Sequence, residues 1–204
     1  MRLVLASSNA GKLAELQALF APLGLTLVRQ SDLGIAEADE PHLTFIENAL
    51  AKARHAAHHA QGAAIADDSG LCVDALGGKP GVRSARFAED SGQPKGDAAN
   101  NRVLLEQLAG ATAEADRRAR FVCALVAVRS ADDPQPLVAL GRWPGLILPA
   151  ARGDAGFGYD PLLFIPELQR SVAELTPAEK NELSHRGVAS RDMLRQMREV
   201  WGLG

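Results

Sequence analysis

An α/β fold is what this sequence predicts, and three features predict it. Apolar runs of strand length alternate with segments of helical periodicity along the whole chain. Two of the helical segments open with capping boxes, which fix where they start. One run, RARFVCALVAVRS, is apolar on both faces around 121–128, as a central strand covered on both sides must be. The 204 residues suffice for one large domain or two intimate lobes with a sizeable core. No internal repeat, low-complexity tract or clear linker divides them, so a single domain over 1–204 is expected.

Taken in order, RLVLA (2–6) is a first strand, and KLAELQALFAPLG (12–24) an amphipathic helix closed by a glycine. LTLVRQ (25–30) is a second strand. TFIENALAKARHAAHHA predicts a helix over 44–60, with Thr44 and Glu47 as its capping box and Gly62 marking its end. AAIA (63–66) is the next strand, and LCVDAL (71–76) continues after a DDSG turn. Asp, Ser and Gly are common turn residues. The stretch 77–97, rich in Gly, Pro and Ser, predicts a long surface loop, followed by a helix over 98–108. PLVALGRWPGLIL (136–148) should pair beside the central strand. Thr176-Pro177-Ala178-Glu179 is the second capping box, with Pro at the first helical position. A C-terminal helix then runs to about residue 201.

Composition narrows the function. Apolar residues make up 47% and charged residues 23%, ordinary for a globular protein. A net charge of −3 gives no electrostatic case for nucleic acid or membrane surfaces, so an anionic ligand would need locally gathered cations. No apolar run approaches the about 20 residues of a membrane span, and the start MRLVLASSNAG lacks the apolar core of a signal peptide. Cys72 and Cys123 form no CxxC pair, so neither a disulfide framework nor a zinc site is indicated. The expected address is cytoplasmic.

Several constellations could carry chemistry. SSNAGK (7–12) joins the first strand to the first helix, where backbone N–H groups and the helix dipole favour an anion and Lys12 adds charge. Ala6 and Leu13 exclude a P-loop, which requires Gly and Ser or Thr there. On the helix over 44–60, Asn48 and Lys52 share a face. His55, His58 and His59 lack the Glu of an H-E-x-x-H site and are read as surface histidines. Glu37, Asp39 and Glu40, with Asp67 and Asp68, suit a Mg²⁺–phosphate site, because Mg²⁺ is held by one or two carboxylates plus substrate oxygens. GFGYDP (156–161) leaves room for something flat against Phe157. In ELTPAEKNELSHRG, Lys180, His185 and Arg186 gather near two helix starts, with Ser184 a candidate cap.

Together these segments resemble a known family. SSNAGK, TFIENALAKA, ADDSGLCVDALGGKPGVRSARF, GFGYDPLLF and ELTPAEKNELSHRG occur in the order seen in the inosine/xanthosine triphosphate pyrophosphatases of non-canonical purine nucleotides, over about residues 2–200. The resemblance implies hydrolysis of ITP, dITP and XTP to the monophosphate and pyrophosphate with Mg²⁺ (Mn²⁺ as a substitute), usually by a homodimer. It also implies an elongated two-lobed α/β fold around a mixed, twisted central sheet with flanking helices and a substrate cleft between the lobes.

Carried over by position, Ser7, Ser8, Asn9, Ala10, Gly11 and Lys12 would cradle the phosphates, with Lys52 and Lys180 neutralising them. Asp68 aligns with the family's general base and metal ligand, with Asp67 beside it. Ser69 would contact substrate. Phe157, Gly158, Tyr159 and Asp160 would enclose the purine, and His185 and Arg186 would read its 6-oxo edge. The family often has Thr-Gly-Asn where this chain has Ser7-Ser8-Asn9. Its second acidic ligand falls at Asp39, with Glu40 adjacent, and spacing does not choose between them. Nor does it choose between Asp67 and Asp68 as base, although neighbours on a strand point opposite ways and only one should face the water. Two other readings stay open: a Maf-type pyrophosphatase acting on pyrimidine or modified nucleotides, and a non-catalytic nucleotide sensor.

Overall fold

The computed structural model describes residues 2–7, 9–21 and 24–203. The fold is α/β, built on a seven-stranded mixed sheet. Its strands are β1 (Arg2–Ala6), β2 (Thr26–Arg29), β3 (Ala64–Val73), β4 (Arg118–Val128), β5 (Leu137–Ile147), β6 (Leu163–Ile165) and β7 (Arg170–Ser171), in the order β2-β1-β3-β4-β5-β6-β7. The helices are α1 (Ala10–Phe20), α2 (Phe45–Ala60), α3 (Phe87–Asp90), α4 (Asp97–Gln107), α5 (Pro177–Leu183) and α6 (His185–Trp201). The chain forms two compact units, one of residues 1–68, 123–141 and 184–204, the other of 69–122 and 142–183.

In the first unit β1 pairs parallel with both β2 and β3, in register Val4↔Val28 and Val4↔Ala64. Strand alternation then sorts its core into two faces. Leu3, Leu5, Ile65, Cys123 and Leu125 pack with Leu16 and Phe20 of α1 and with Ala189, Met193 and Met197 of α6. Val4, Ala6, Ala64, Ala66, Ala124 and Val126 pack on Ala49, Ala53, Ala56 and Ala57 of α2. Alanine on both sides of that second interface gives α2 little side-chain bulk to hold it off the sheet. In the second unit, β5 pairs antiparallel with β6, and β6 with β7. Leu71, Val73, Phe121, Trp143 and Ile147 there bury Phe87, Val103, Leu104, Leu162 and Leu163.

The sequence reading holds for most elements, and four points are corrected. The DDSG segment is not a turn: β3 runs unbroken from Ala64 to Val73. Gly70 serves close packing instead, because a Cβ there would overlap Ser84 Oγ and the Gly81 carbonyl. The stretch 77–97 is not an open surface loop. It holds a 3-10 segment, Gly81–Arg86, and α3, with Ser84, Phe87 and Ala88 buried. Its Gly and Pro content hid the Phe87-Ala88 pair, which Asn100 fastens by accepting the Ala88 N–H at 2.8 Å. α1 begins two residues earlier than expected, at Ala10, because Asn9 caps it by accepting the Lys12 N–H at 3.0 Å. The left-handed residue ending α2 is Gln61, at φ 49°, not Gly62.

Candidate active site

The first unit turns two adjacent aspartates to opposite sides of β3. Asp67 follows Ile65 in alternation and so faces α1 and α6; Asp68 follows Ala64 and Ala66 and faces α2. Both are buried, at 1% and 5% exposure, and buried carboxylates demand partners.

Asp67 has them in Lys12, whose Nζ lies 2.7 Å from Oδ1, and in Arg186, whose Nε donates to Oδ2 at 2.8 Å. The Cys123 thiol donates to the same Oδ2 at 3.3 Å. Arg186 also pairs with Glu15 of α1. Burial opposes the charge of Asp67, but the Arg186 guanidinium and Lys12 ammonium outweigh it and hold the carboxyl well below the usual range. The same buried surroundings, with Asp67 beside it, push the Cys123 thiol well up. Asp67 is thus a fixed anion.

Asp68 differs. Lys52 Nζ lies 2.8 Å from its Oδ1, and Asn48 Nδ2 donates to its Oδ2 at 3.4 Å. Lys52 also donates to Glu40 at 2.7 Å and to the Asp67 carbonyl at 2.9 Å. Here burial prevails over the Lys52 charge and raises the Asp68 pKa. A carboxylate with raised pKa is the better proton acceptor of the two.

The second unit assembles another part of the predicted set. Lys180, buried on α5, donates to Asp160 Oδ2 at 2.6 Å and stands 4.4 Å from the centroid of the Phe157 ring. Asp160 also accepts the Phe157 N–H at 2.9 Å. Gly156, at φ 80°, makes this possible, since a Cβ there would overlap the Asp160 carboxylate. Asp97 accepts the Gly158 N–H at 2.6 Å, and the buried Tyr159 hydroxyl donates to the Ser84 carbonyl at 2.8 Å. The 156–161 segment is therefore held from several sides.

The remaining predicted residues fall as follows. Ser7 Oγ accepts the Asn9 N–H at 3.3 Å ahead of α1, while Ala10, Gly11 and Lys12 form its first turn. Ser8 lies outside the described residues. Ser69 is half-buried in β3. Of the two acidic candidates, Glu40 reaches Lys52 and Asp39 is exposed. His185 and Arg186 open α6, whose cap Ser184 accepts the Gly187 N–H at 3.1 Å; both are buried. Gly141 of β5 lies flush against this helix start, where a Cβ would overlap the His185 carbonyl. Glu15, Cys123 and Asn48 entered the constellation unassigned. Helical spacing offered a signal for two of them, Lys12 to Glu15 and Asn48 to Lys52.

Asp68 and Glu40 converge on one ammonium and offer hard oxygen donors, the chemistry a Mg²⁺-like ion takes. Among the described residues no three His, Cys, Asp or Glu side chains gather as metal ligands. Also among the described residues, no helix is long and apolar enough to cross a membrane.

The chain is 63% identical to a dITP/XTP pyrophosphatase of Methylibium petroleiphilum, over 98% of this chain and 99% of that one. It is 60% identical to a dITP/XTP pyrophosphatase of Leptothrix cholodnii over the full length of both. A solved HAM1 protein from Coxiella burnetii superposes with a TM-score of 0.89 at 42% identity, covering 98% of this chain and all of that one. The Ham1 family profile matches residues 3–196, and the chain belongs to the Ham1 family.

Proposed function

We propose that this chain is a nucleoside triphosphate pyrophosphatase that hydrolyses ITP, dITP and XTP to the monophosphate and pyrophosphate, clearing them from the nucleotide pool. The observation that carries it is the division of labour on β3: one aspartate locked as an anion by Lys12 and Arg186, its neighbour poised as a base beside Lys52 and Glu40. Relatives 56–63% identical over nearly the whole chain carry the name of this activity.

In the reaction, water attacks the α-phosphorus and pyrophosphate leaves. Asp68 orients the water and takes its proton. Lys12 and Lys52 spread over the phosphate oxygens the positive charge that phosphoryl transfer requires, and Asp67 keeps Lys12 directed. The N-terminus of α1 is assigned to the same anion, with the backbone N–H groups of Ala10 and Gly11 as donors. The enzyme is metal-dependent. Mg²⁺, with Mn²⁺ as a substitute, is assigned to Asp68 and Glu40, and when bound it neutralises phosphate charge. In the second unit, Phe157 is assigned the face of the purine, with Lys180 and Asp160 behind it. His185 is assigned the 6-oxo edge, and Arg186, engaged with Asp67 and Glu15, supports the phosphate-side anion. A site built to meet a carbonyl leaves polar groups unpaired against the 6-amino group of ATP. The protein is further read as a cytoplasmic homodimer with no nucleic-acid partner.

The test is product analysis with ITP, XTP, dITP, GTP and ATP in Mg²⁺. Rapid pyrophosphate release from the first three and slow release from the others is expected. Orthophosphate as first product, a preference for pyrimidines, or binding without turnover would overturn the proposal.

A further inference from the structure

Asn48 is buried to 1% exposure in the first turn of α2, and its carboxamide is shared between two pieces of the chain. Its Oδ1 accepts the His42 N–H at 3.0 Å, and its Nδ2 donates to the His42 carbonyl at 3.3 Å. Both backbone groups of His42 are thereby matched, as a neighbouring strand would match them. The same Nδ2 donates to Asp68 Oδ2 at 3.4 Å. Asn48 and Lys52, four residues apart on one helix face, thus hold the two oxygens of Asp68 separately.

The segment that Asn48 grips is held to α2 by other side chains as well, His55 Nε2 lying 2.9 Å from the Ala36 carbonyl and Lys52 donating to Glu40 at 2.7 Å. Residues 35–42 form neither helix nor strand, and Glu40 lies within them. Carboxylates brought together repel, so a loop carrying one stays beside another only when something holds it. Lys52 supplies the charge for this. Asn48 supplies the backbone clamp at His42, two residues from Glu40 in sequence. A helix start needs no such residue, because Thr44 already caps α2 by accepting the Glu47 N–H at 3.3 Å.

We propose that Asn48 is a positioning residue of the hydrolytic centre, its carboxamide tying the acidic segment at His42 to Asp68 so that Glu40 and Asp68 converge. The inference rests on the pyrophosphatase reading for its effect on turnover, but not for its effect on the convergence of the two carboxylates.

Three variants decide it. Asn48→Ala removes every contact. Asn48→Asp keeps an acceptor for the His42 N–H but loses both donations and places a like charge beside Asp68. Ala56→Gly weakens the same helix away from the loop. Each is measured for Mn²⁺ affinity without nucleotide, by the free-ion electron paramagnetic resonance signal, and for kcat and KM on ITP and melting temperature. Loss of a residue that orients a ligand costs about 10- to 100-fold in metal affinity or activity. Asn48→Ala is therefore expected to lose at least about tenfold in kcat and in Mn²⁺ affinity with KM little changed, and Asn48→Asp to lose as much or more kcat. Ala56→Gly lowers the melting temperature alone. The proposal is overturned if Asn48→Ala lowers the melting temperature but leaves Mn²⁺ affinity and kcat at wild-type values. Should Asn48→Ala not fold, Asn48→Asp with wild-type kcat overturns it equally. If the wild type releases no pyrophosphate from ITP, the pyrophosphatase reading fails, and the Mn²⁺ titration still decides whether Asn48 makes the carboxylates converge.

Discussion

Asp67 and Asp68 are chemically identical and adjacent, yet the fold gives them opposite surroundings. Asp67 sits between Lys12 and Arg186, and removing its charge breaks both buried ion pairs, leaving Arg186 with Glu15. Breaking a buried pair in this way costs about 3–5 kcal/mol. Asp67→Asn should therefore lower the denaturant midpoint sharply as well as activity. Asp68→Asn should mainly remove the base, lowering kcat by about 10²- to 10⁴-fold with a smaller loss of stability. Urea unfolding beside steady-state kinetics separates the two. Equal stability losses, or a larger kcat effect at Asp67, would reverse the assignment. Which aspartate took which partners was not legible locally: alternation said only that they diverge, and the helices packed on each face of β3 decided the rest.

Among the elements, capping boxes were the most legible signals, because they are short-range and chemically explicit. Thr176 accepts the Glu179 N–H at 3.3 Å, and Glu179 accepts the Thr176 N–H at 2.8 Å, closing the start of α5 as its sequence requires. Arg170 donates to Glu179 at 2.7 Å, and this bond first, with those to Thr176, lowers its pKa to about 2. Since the folded value lies below the ordinary one near 4.5, this contribution to stability is complete above that value. It is lost as pH falls from there toward about 2. Urea midpoints of wild type and Glu179→Gln should differ most at pH 5 and above and converge on acidification. A constant difference would show that the carboxylate's charge is not what matters. By contrast, 77–97 was misread because glycine and proline mark turns whether or not the turns are packed. Only contact with Asn100 and the second-unit core shows that Phe87 and Ala88 are interior.

At the scale of the whole molecule, the exposed side chains include Leu43 at 89% exposure and Ile46 at 38%, near the start of α2. Homodimerisation should cover apolar surface of this kind. Sedimentation velocity at micromolar concentration is expected to give a species of twice the chain mass of 21.6 kDa, and a single monomeric boundary would refute the dimer.

The sequence by itself determined the α/β class, most of the strands and helices, and the list of charged residues from which the site is drawn. These follow from periodicity and capping, which act over a few residues and leave a local record. Tertiary structure decided the pairing within that list. It put Glu40 and not Asp39 on Lys52, Arg186 on Asp67, and Lys180 over Phe157. It also enlisted Asn48, Glu15 and Cys123 beside the aspartates. Burial is the reason. A carboxylate in the core must be matched by whichever donors the packed elements bring to it, and Arg186 comes to Asp67 from 119 residues away.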